Sequence, residues 1–246
     1  MGKVTAGFFS FTEITDPAEH RSYNEWHQLD HMPEQYPLAG VVSGQRWVCT
    51  PACRAARAAA VAPLDRVHYL TLYLMAEPLA ATLAEFAALA ERLAAAGRFH
   101  QHRRALLSGP LALAGAVAAP RVAVSAEAVP HRPNQGVYVV VEPRDPGAAG
   151  GPDDLAALSA LDGVAGAWRF VPEARGDLGR WPPGSHEITV CYLDEDPRAV
   201  ARTLRPVLTA RWARTGVAPL LSGPFETITP WAWDWFDDPG PGAGAR

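Results

Sequence analysis

Two histidines stand four residues apart in YNEWHQLDHMPE, residues 23 to 34, with a tyrosine four positions before the first, a tryptophan beside it and a proline two after the second. At about 100° per helical residue, Tyr23, His27 and His31 fall on one stripe about 80° wide, and Trp26, Leu29 and Met32 occupy an apolar side. Imidazoles exchange protons near neutral pH, so the stripe is suited to general acid-base catalysis, with His31 and His27 as proton carriers, Tyr23 assisting and Trp26 touching substrate. Pro33 has no N–H and disfavours a helical Met32, so the helix is expected to break there. That would leave His31 at a helix C-terminus, where the dipole favours the imidazolium and raises its pKa. The competing reading is a helix-stop device in which His31 merely bonds a backbone carbonyl. A metal is not expected: the glutamate that follows the first histidine in zinc proteases is missing, as is a distal third ligand, and only Glu34 stands nearby.

Further candidates lie on strand-like runs. In RVHYLTLYLM, residues 66 to 75, Tyr69, Thr71, Tyr73 and Met75 share one face and His68, Leu70, Leu72 and Leu74 the other. The aliphatic face is expected to lie under helices, turning Tyr69 and Tyr73 into the space between two sheets, where a phenol can donate to a developing enolate or simply line the wall. Arg46 alternates with Val42, Gly44 and Val48, an isolated charge on an apolar face. It needs an anion, either Glu13 or a substrate carboxylate or phenolate. Trp231, Trp233 and Trp235 recur at strand-like period two and could form a stacking wall for a planar ligand or close a barrel end. His100 and His102, beside Arg103 and Arg104, read as solvated.

The elements that must hold these residues repeat along the chain. LLSGP at 106 to 110 returns at 220 to 224, GVVSGQRWV (40 to 48) is matched by GVAGAWRFV (163 to 171), LTLYLMAEP (70 to 78) by TVCYLDEDP (189 to 197), and GFFSFTEI (7 to 14) by GVYVVVEP (136 to 143). Arg46 thus falls on Arg169, which makes a structural ion pair in each half the alternative to substrate binding. Each half reads strand, helix, strand, strand, helix, strand, the ferredoxin-like order. The second helices are expected over 79–96, ended by Gly97, and over 197–214, opened by Pro197, with a last strand following each LLSGP.

The fold class is α+β: two tandem ferredoxin-like βαββαβ units packed sheet to sheet as an α/β barrel, because the open sheet face of one unit needs a cover. Units of 1–120 and 121–235 follow, with 114–135 as connector, VAVSAEAV as a candidate extra strand and a disordered tail at 236–246. The halves differ. The first spends about 25 residues, with its histidines, where the second has PDDLAALSALDG, so one pocket is expected, in the first half.

Composition limits the partners. The 246-residue chain is 48% hydrophobic and 20% charged with net charge −4, and Lys3 is its single lysine among 22 basic residues. A globular protein follows, with no electrostatic case for nucleic acid. Neither a signal-like segment nor an 18-residue apolar run occurs, which points to the cytoplasm and away from membranes. Cys49, Cys53 and Cys191 are too few and too poorly spaced for a disulfide framework or a zinc site, and read as buried thiols.

AEHRSYNEWHQLDHMPEQYPLAGVVSGQRW resembles the first helix and second strand of the EthD-like branch of the dimeric α/β-barrel proteins, in which an aromatic residue precedes H-x-P and Gly-Val opens the next strand. Trp26, His31, Pro33, Gly40 and Val41 carry the match. The resemblance implies a small-molecule enzyme, and homodimers occur among proteins of this kind. Its members include isomerases, cyclases, decarboxylases, dehydratases, cofactor-free monooxygenases and haem proteins, so the fold alone does not choose a reaction. The first expectation is a cofactor-independent lyase or isomerase of cyclase type, transferring protons on a small aromatic or polyketide-like substrate. A cofactor-free monooxygenase in the same pocket is the second. A haem or metal protein and a non-catalytic ligand-binding barrel complete the alternatives; His131 and His186 are the only second-half histidines, and neither reads as a proximal ligand.

Overall fold

The computed structural model describes residues 4–144, 152–172 and 185–237. In chain order they form β1 (Val4–Ile14), α1 (His20–Trp26) running into a π-helical turn (His27–His31), β2 (Val41–Val48), α2 (Pro51–Ala55), β3 (Ala59–Ala60), β4 (Tyr69–Ala76), α3 (Leu79–Ala95) and β5 (Arg103–Ala118). Then follow β6 (Gly136–Pro143), α4 (Pro152–Ser159), β7 (Val164–Val171), β8 (His186–Leu193), α5 (Pro197–Thr215) and β9 (Leu221–Thr227). Strand neighbours run β2-β4-β1-β5-β7-β8-β6-β9, and β9 returns to β2. The result is a closed antiparallel barrel of eight strands, with the two-residue β3 added outside on β9.

The quartets β2-β4-β1-β5 and β7-β8-β6-β9 have the same neighbour order, as expected of two ferredoxin-like sheets. They are joined along two unequal seams. The long β5 pairs first with β1 and then, from Ala112↔Val171 to Ala118↔Gly166, with β7. The opposite seam is only Trp47↔Thr227 and Val48↔Glu226. LLSGP lies within β5 and opens into β9, so it belongs to the strands it was expected to precede. Residues 114–118 likewise belong to β5, and VAVSAEAV forms no strand but leads into a 3-10 turn at Ala126–His131. Both second helices form as expected. Asp196 accepts from Arg198 N and Ala199 N ahead of Pro197, and Gly216, at φ 71°, ends α5. Of the expected tail, 238–246 lies outside the described residues.

One expectation is inverted. Leu70, Leu72 and Leu74 point into the barrel, where they meet Phe9, Phe11, Trp47, Leu107, Leu111, Val137, Val139, Val141, Trp168, Phe170, Val190 and Phe225 in one continuous core. The space between the sheets is therefore packed, not hollow. An eight-stranded barrel is just wide enough for side chains to fill it, and its interior is the driest place in the molecule, so the uniformly aliphatic face goes there. The mixed face with Tyr69, Thr71, Tyr73 and Met75 turns outward beneath the helices. No helix among the described residues is long and apolar enough to cross a membrane.

This parity is directly testable by thermal denaturation. Leu72→Ala should cost about 2–5 kcal/mol, as for other large-to-small changes in a filled core, whereas Thr71→Val, at an equally buried position facing outward, should be neutral or stabilising because it removes a hydroxyl with no partner. The reverse ranking would place the faces the other way round.

Candidate active site

On the outer face of the first quartet, β1 offers Phe8, Ser10 and Thr12, β4 offers Thr71 and Tyr73, and β5 offers Arg103, Ala105 and Ser108. Over this face lies the helical segment that begins with α1, and beside it α3 with Phe86 and Ala90. Between them is a cavity of about 180 Å³, closed further by Tyr23, His27, His31, Gln35 and Phe99. The matching face of the second quartet is covered differently among the described residues. There Tyr138, Val140, Ala167, Cys191 and Leu193 pack against Leu155, Leu158, Val200, Leu204 and Leu208.

The helix does not break at Pro33. Met32 keeps helical angles (φ −69°, ψ −41°), its N–H bonds His27 O at 2.9 Å, and the chain continues as a 3-10 turn over Pro33–Gln35. Pro33 lacks the N–H that a regular helix would need, and widening the preceding turn to five residues absorbs that loss. The widened turn sets two stripes back to back. His27, His31 and Gln35 face the cavity, whereas Gln28, Met32 and Tyr36 face a separate cleft. Arg98, in the loop after α3, fixes the segment from outside. Its guanidinium bonds Asp30 (2.7 Å) and Glu34 (2.8 Å), and its carbonyl accepts from Trp26 Nε1 at 2.8 Å.

Within the cavity the rings form a connected wall. Trp26 stacks on His31 with centroids 4.6 Å apart, His31 lies 5.2 Å from His27, and His27 lies 5.6 Å from Tyr23. Phe86 contacts Phe8 at 4.8 Å and Tyr73 at 5.5 Å. Arg103 lies over Phe99 at 4.5 Å and over Trp26 at 5.6 Å, and no carboxylate pairs with it among the described residues. His27 Nδ1, His31 Nδ1, Gln35 Oε1, Thr71 Oγ1 and Tyr73 OH have no hydrogen-bond partner in the protein. So many unmatched polar atoms around one small space cost stability unless a polar guest satisfies them.

The electrostatics correct the expected sign for His31. Its pKa is not raised but lowered, to about 4, first by burial and then by Arg103. His27, fully enclosed, is pushed well below the ordinary histidine value by burial and then by Arg46. A helix dipole contributes at most about 2 kcal/mol, and desolvation beside a guanidinium outweighs it. Burial also raises the Tyr73 phenol well above its ordinary value. At neutral pH the cavity therefore presents two neutral imidazoles, a protonated phenol and a cation.

The other expected site residues are distributed differently. Tyr69 is wholly buried, and its hydroxyl accepts from Asn24 Nδ2 (2.8 Å) and shares a hydrogen bond with His20 Nδ1 (2.9 Å); it holds α1 on the sheet and does not line the cavity. Arg46 borders the cleft and forms no ion pair with Glu13, which pairs with Arg104 and Arg66. Its repeat partner Arg169 does have carboxylates, Glu187 at 3.6 Å and Asp154 at 3.9 Å. Trp231 is 69% exposed, and Trp233 is buried beside Ile14, Tyr23 and Tyr69; neither reaches the cavity, and no strand carries them. Arg103 was missed. It reads as solvated beside a helix stop, and the signal available was its position at the start of a strand that pairs with FSFT.

Neither a dication nor a haem fits these residues. Arg103 and Arg46 act on both imidazoles, no carboxylate lines the cavity among the described residues, and 180 Å³ is below even the 300–1,000 Å³ typical of drug-sized ligands. Among the described residues the one cluster with metal-ligand spacing, Asp16, Glu19 and His102, lies elsewhere at the surface.

The histidines make stability depend on pH. His20 and His31 are lowered to about 4 and His68 to about 3, each mainly by burial; His68 Nδ1 accepts from Ile14 N at 3.0 Å, which requires it unprotonated. Below about 6.5 the unfolded chain takes up protons that these folded residues refuse, so stability falls on acidification. Scanning calorimetry should show Tm lower by about 5 °C or more at pH 5 than at pH 7, a window above the ordinary carboxylate range. A flat Tm would contradict the neutral assignment.

No protein-family model matches the chain, and no curated protein matches it. Solved structures do. An anthrone oxidase-like protein has TM-score 0.55 and 13% identity, over 92% of each chain. A chlorite dismutase-like protein has TM-score 0.53 and 13% identity, over 95% of this chain and 98% of that one. A monooxygenase-like protein from Fusobacterium nucleatum subsp. nucleatum has TM-score 0.51 and 9% identity, over 93% and 94%. At these identities what is shared is architecture: the chain has a closed eight-stranded α/β-barrel fold in common with these proteins.

Proposed function

We propose that the cavity binds a small planar phenol or enolisable ketone, removes a proton from it, and passes the resulting anion to dioxygen as a cofactor-independent oxygenase. The observation that carries this reading is an unpaired guanidinium, Arg103, facing two neutral imidazoles inside an aromatic-walled space without a carboxylate. A half-buried cation without a counter-ion favours a guest that becomes anionic, and phenolates and enolates are planar anions suited to aromatic walls.

In this mechanism His31, held in place by Trp26, accepts the proton from the substrate carbon or hydroxyl, with His27 alongside. Arg103 and the Tyr73 phenol then stabilise the oxyanion, the phenol serving as a donor because burial keeps it protonated. A free imidazole with a pKa of about 4 is a weak base, but the forming anion offsets Arg103 and strengthens it at the moment of transfer. The carbanion form attacks dioxygen and, on taking back a proton, is a hydroperoxide. Loss of the second C–H proton with cleavage of the O–O bond releases water and leaves a carbonyl. One methylene and one dioxygen thus give one ketone and one water. The descriptions of two structural neighbours, as an oxidase and a monooxygenase, support oxygen as the acceptor. A cyclase, dehydratase or decarboxylase would use the same first proton transfer without oxygen.

The test is dioxygen consumption with one- and two-ring aromatic ketones bearing an acidic methylene, 2-tetralone among them. Turnover should consume one dioxygen per product, His31→Ala should lower kcat by about 100-fold or more, and the acid limb of kcat/KM should lie near pH 4 to 5, since the base form of a pKa-lowered histidine persists there. Product formed without oxygen uptake would transfer the site to the non-oxidative reactions. Full activity of His31→Ala would overturn its role as base.

A further inference from the structure

The cleft behind the helical segment is a second, independent place where charge is left open. Its volume is about 470 Å³, and Gln28, Met32, Tyr36, Arg46, Arg132 and Asn134 are among the residues that border it. Among the described residues no carboxylate lines it, although two arginines do. Arg132 is satisfied from outside by Asp194 at 3.2 Å. Arg46 is not: only 5% of it is exposed, Nη2 bonds Asn24 Oδ1 at 2.9 Å, Nη1 reaches Gln28 Oε1 at 3.5 Å, and Nε has no partner. Tyr23 and Tyr69 lie at 5.4 and 5.9 Å from its guanidinium carbon. Neutral amides and ring faces solvate a cation without neutralising it. The repeat supplies an internal comparison, because Arg169, at the corresponding position, has Glu187 and Asp154. Both arginines sit opposite a threonine on the next strand, Thr71 and Thr189. The second half keeps the anion within the protein, and the first leaves its place to something else.

We infer that this cleft is a carboxylate-binding site in which Arg46 is the charged contact and Gln28 the adjustable neighbour. Met32, Tyr36, Trp47 and Ile228 give it apolar walls, so the ligand is a carboxylate on an apolar or aromatic body, not a bare inorganic anion. The proposal does not rest on the chemistry of the smaller cavity. The two are nonetheless coupled through space. Arg46 is among the charges that keep His27 neutral, and a carboxylate against it relaxes that restraint.

The test is isothermal titration of the full chain with benzoate, and separately with inorganic phosphate, at pH 7. Saturable benzoate binding that is lost in Arg46→Met is expected. Because a buried arginine variant can fail to fold, the decisive variant is Gln28→Glu, which supplies the missing carboxylate beside Arg46. It should keep or raise Tm while lowering benzoate affinity at least 10-fold. Arg103→Met should leave the Arg46-dependent benzoate binding intact, which separates this site from the smaller cavity. The inference is overturned if benzoate does not bind, if phosphate binds in preference to it, if Gln28→Glu binds benzoate as the parent does, or if only Arg103→Met removes the binding.

Discussion

Closing eight antiparallel strands into a barrel of this width leaves an interior that must be filled with large apolar side chains. Everything else about the molecule follows from where that requirement sends each strand's two faces. Phe9, Phe11, Leu70, Leu72 and Leu74 are drawn inward to meet Trp168, Phe170 and the valines of β6. Their alternate neighbours, Phe8, Ser10, Thr12, Thr71 and Tyr73, are thereby committed to the outer face. Helices must cover that face, and how completely they do so decides whether it becomes a second core or a site.

The two halves resolve the same problem oppositely. In the second, aliphatic residues of α4 and α5 close down on the sheet, and the arginine at the centre of β7 has carboxylates at hand. In the first, the cover is a helical segment of histidines and glutamines widened by a π turn, and both arginines face open space: Arg103 the small cavity, Arg46 the cleft behind it. Unmatched buried polar atoms occur in both halves, Ser159, Thr189 and Tyr192 among them in the second, but in the first those of His27, His31, Gln35, Thr71 and Tyr73 gather around one cavity. Asymmetry of this kind within a shared strand order is the strongest structural argument that the first half is organised around ligands.

Much of this was legible in the residues themselves. The repeated strings gave the strand order and the barrel, and the bias of histidines to one half gave the side on which a cavity lies. Tyr23, His27, His31 and Tyr73 come together as candidates. The inward and outward faces of β4 were not readable from periodicity, which is the same for both; only closure of the barrel breaks the tie. Nor could spacing reveal the π turn, which depends on where the chain after Pro33 must go, or the sign of the His31 shift, which burial and Arg103 decide. Trp231 and Trp233 show the opposite error, a period of two without a strand beneath it.

The central claim is that the small cavity prefers its guest as an anion because Arg103 has no counter-ion. The most direct measurement is the absorbance of 4-nitrophenol, whose ionised form is yellow, titrated with the protein at pH 6. Binding should ionise the probe, lowering its apparent pKa in the parent protein, and Arg103→Met should abolish that shift. A probe that binds in its neutral form, or that ionises equally well on Arg103→Met, would contradict the account.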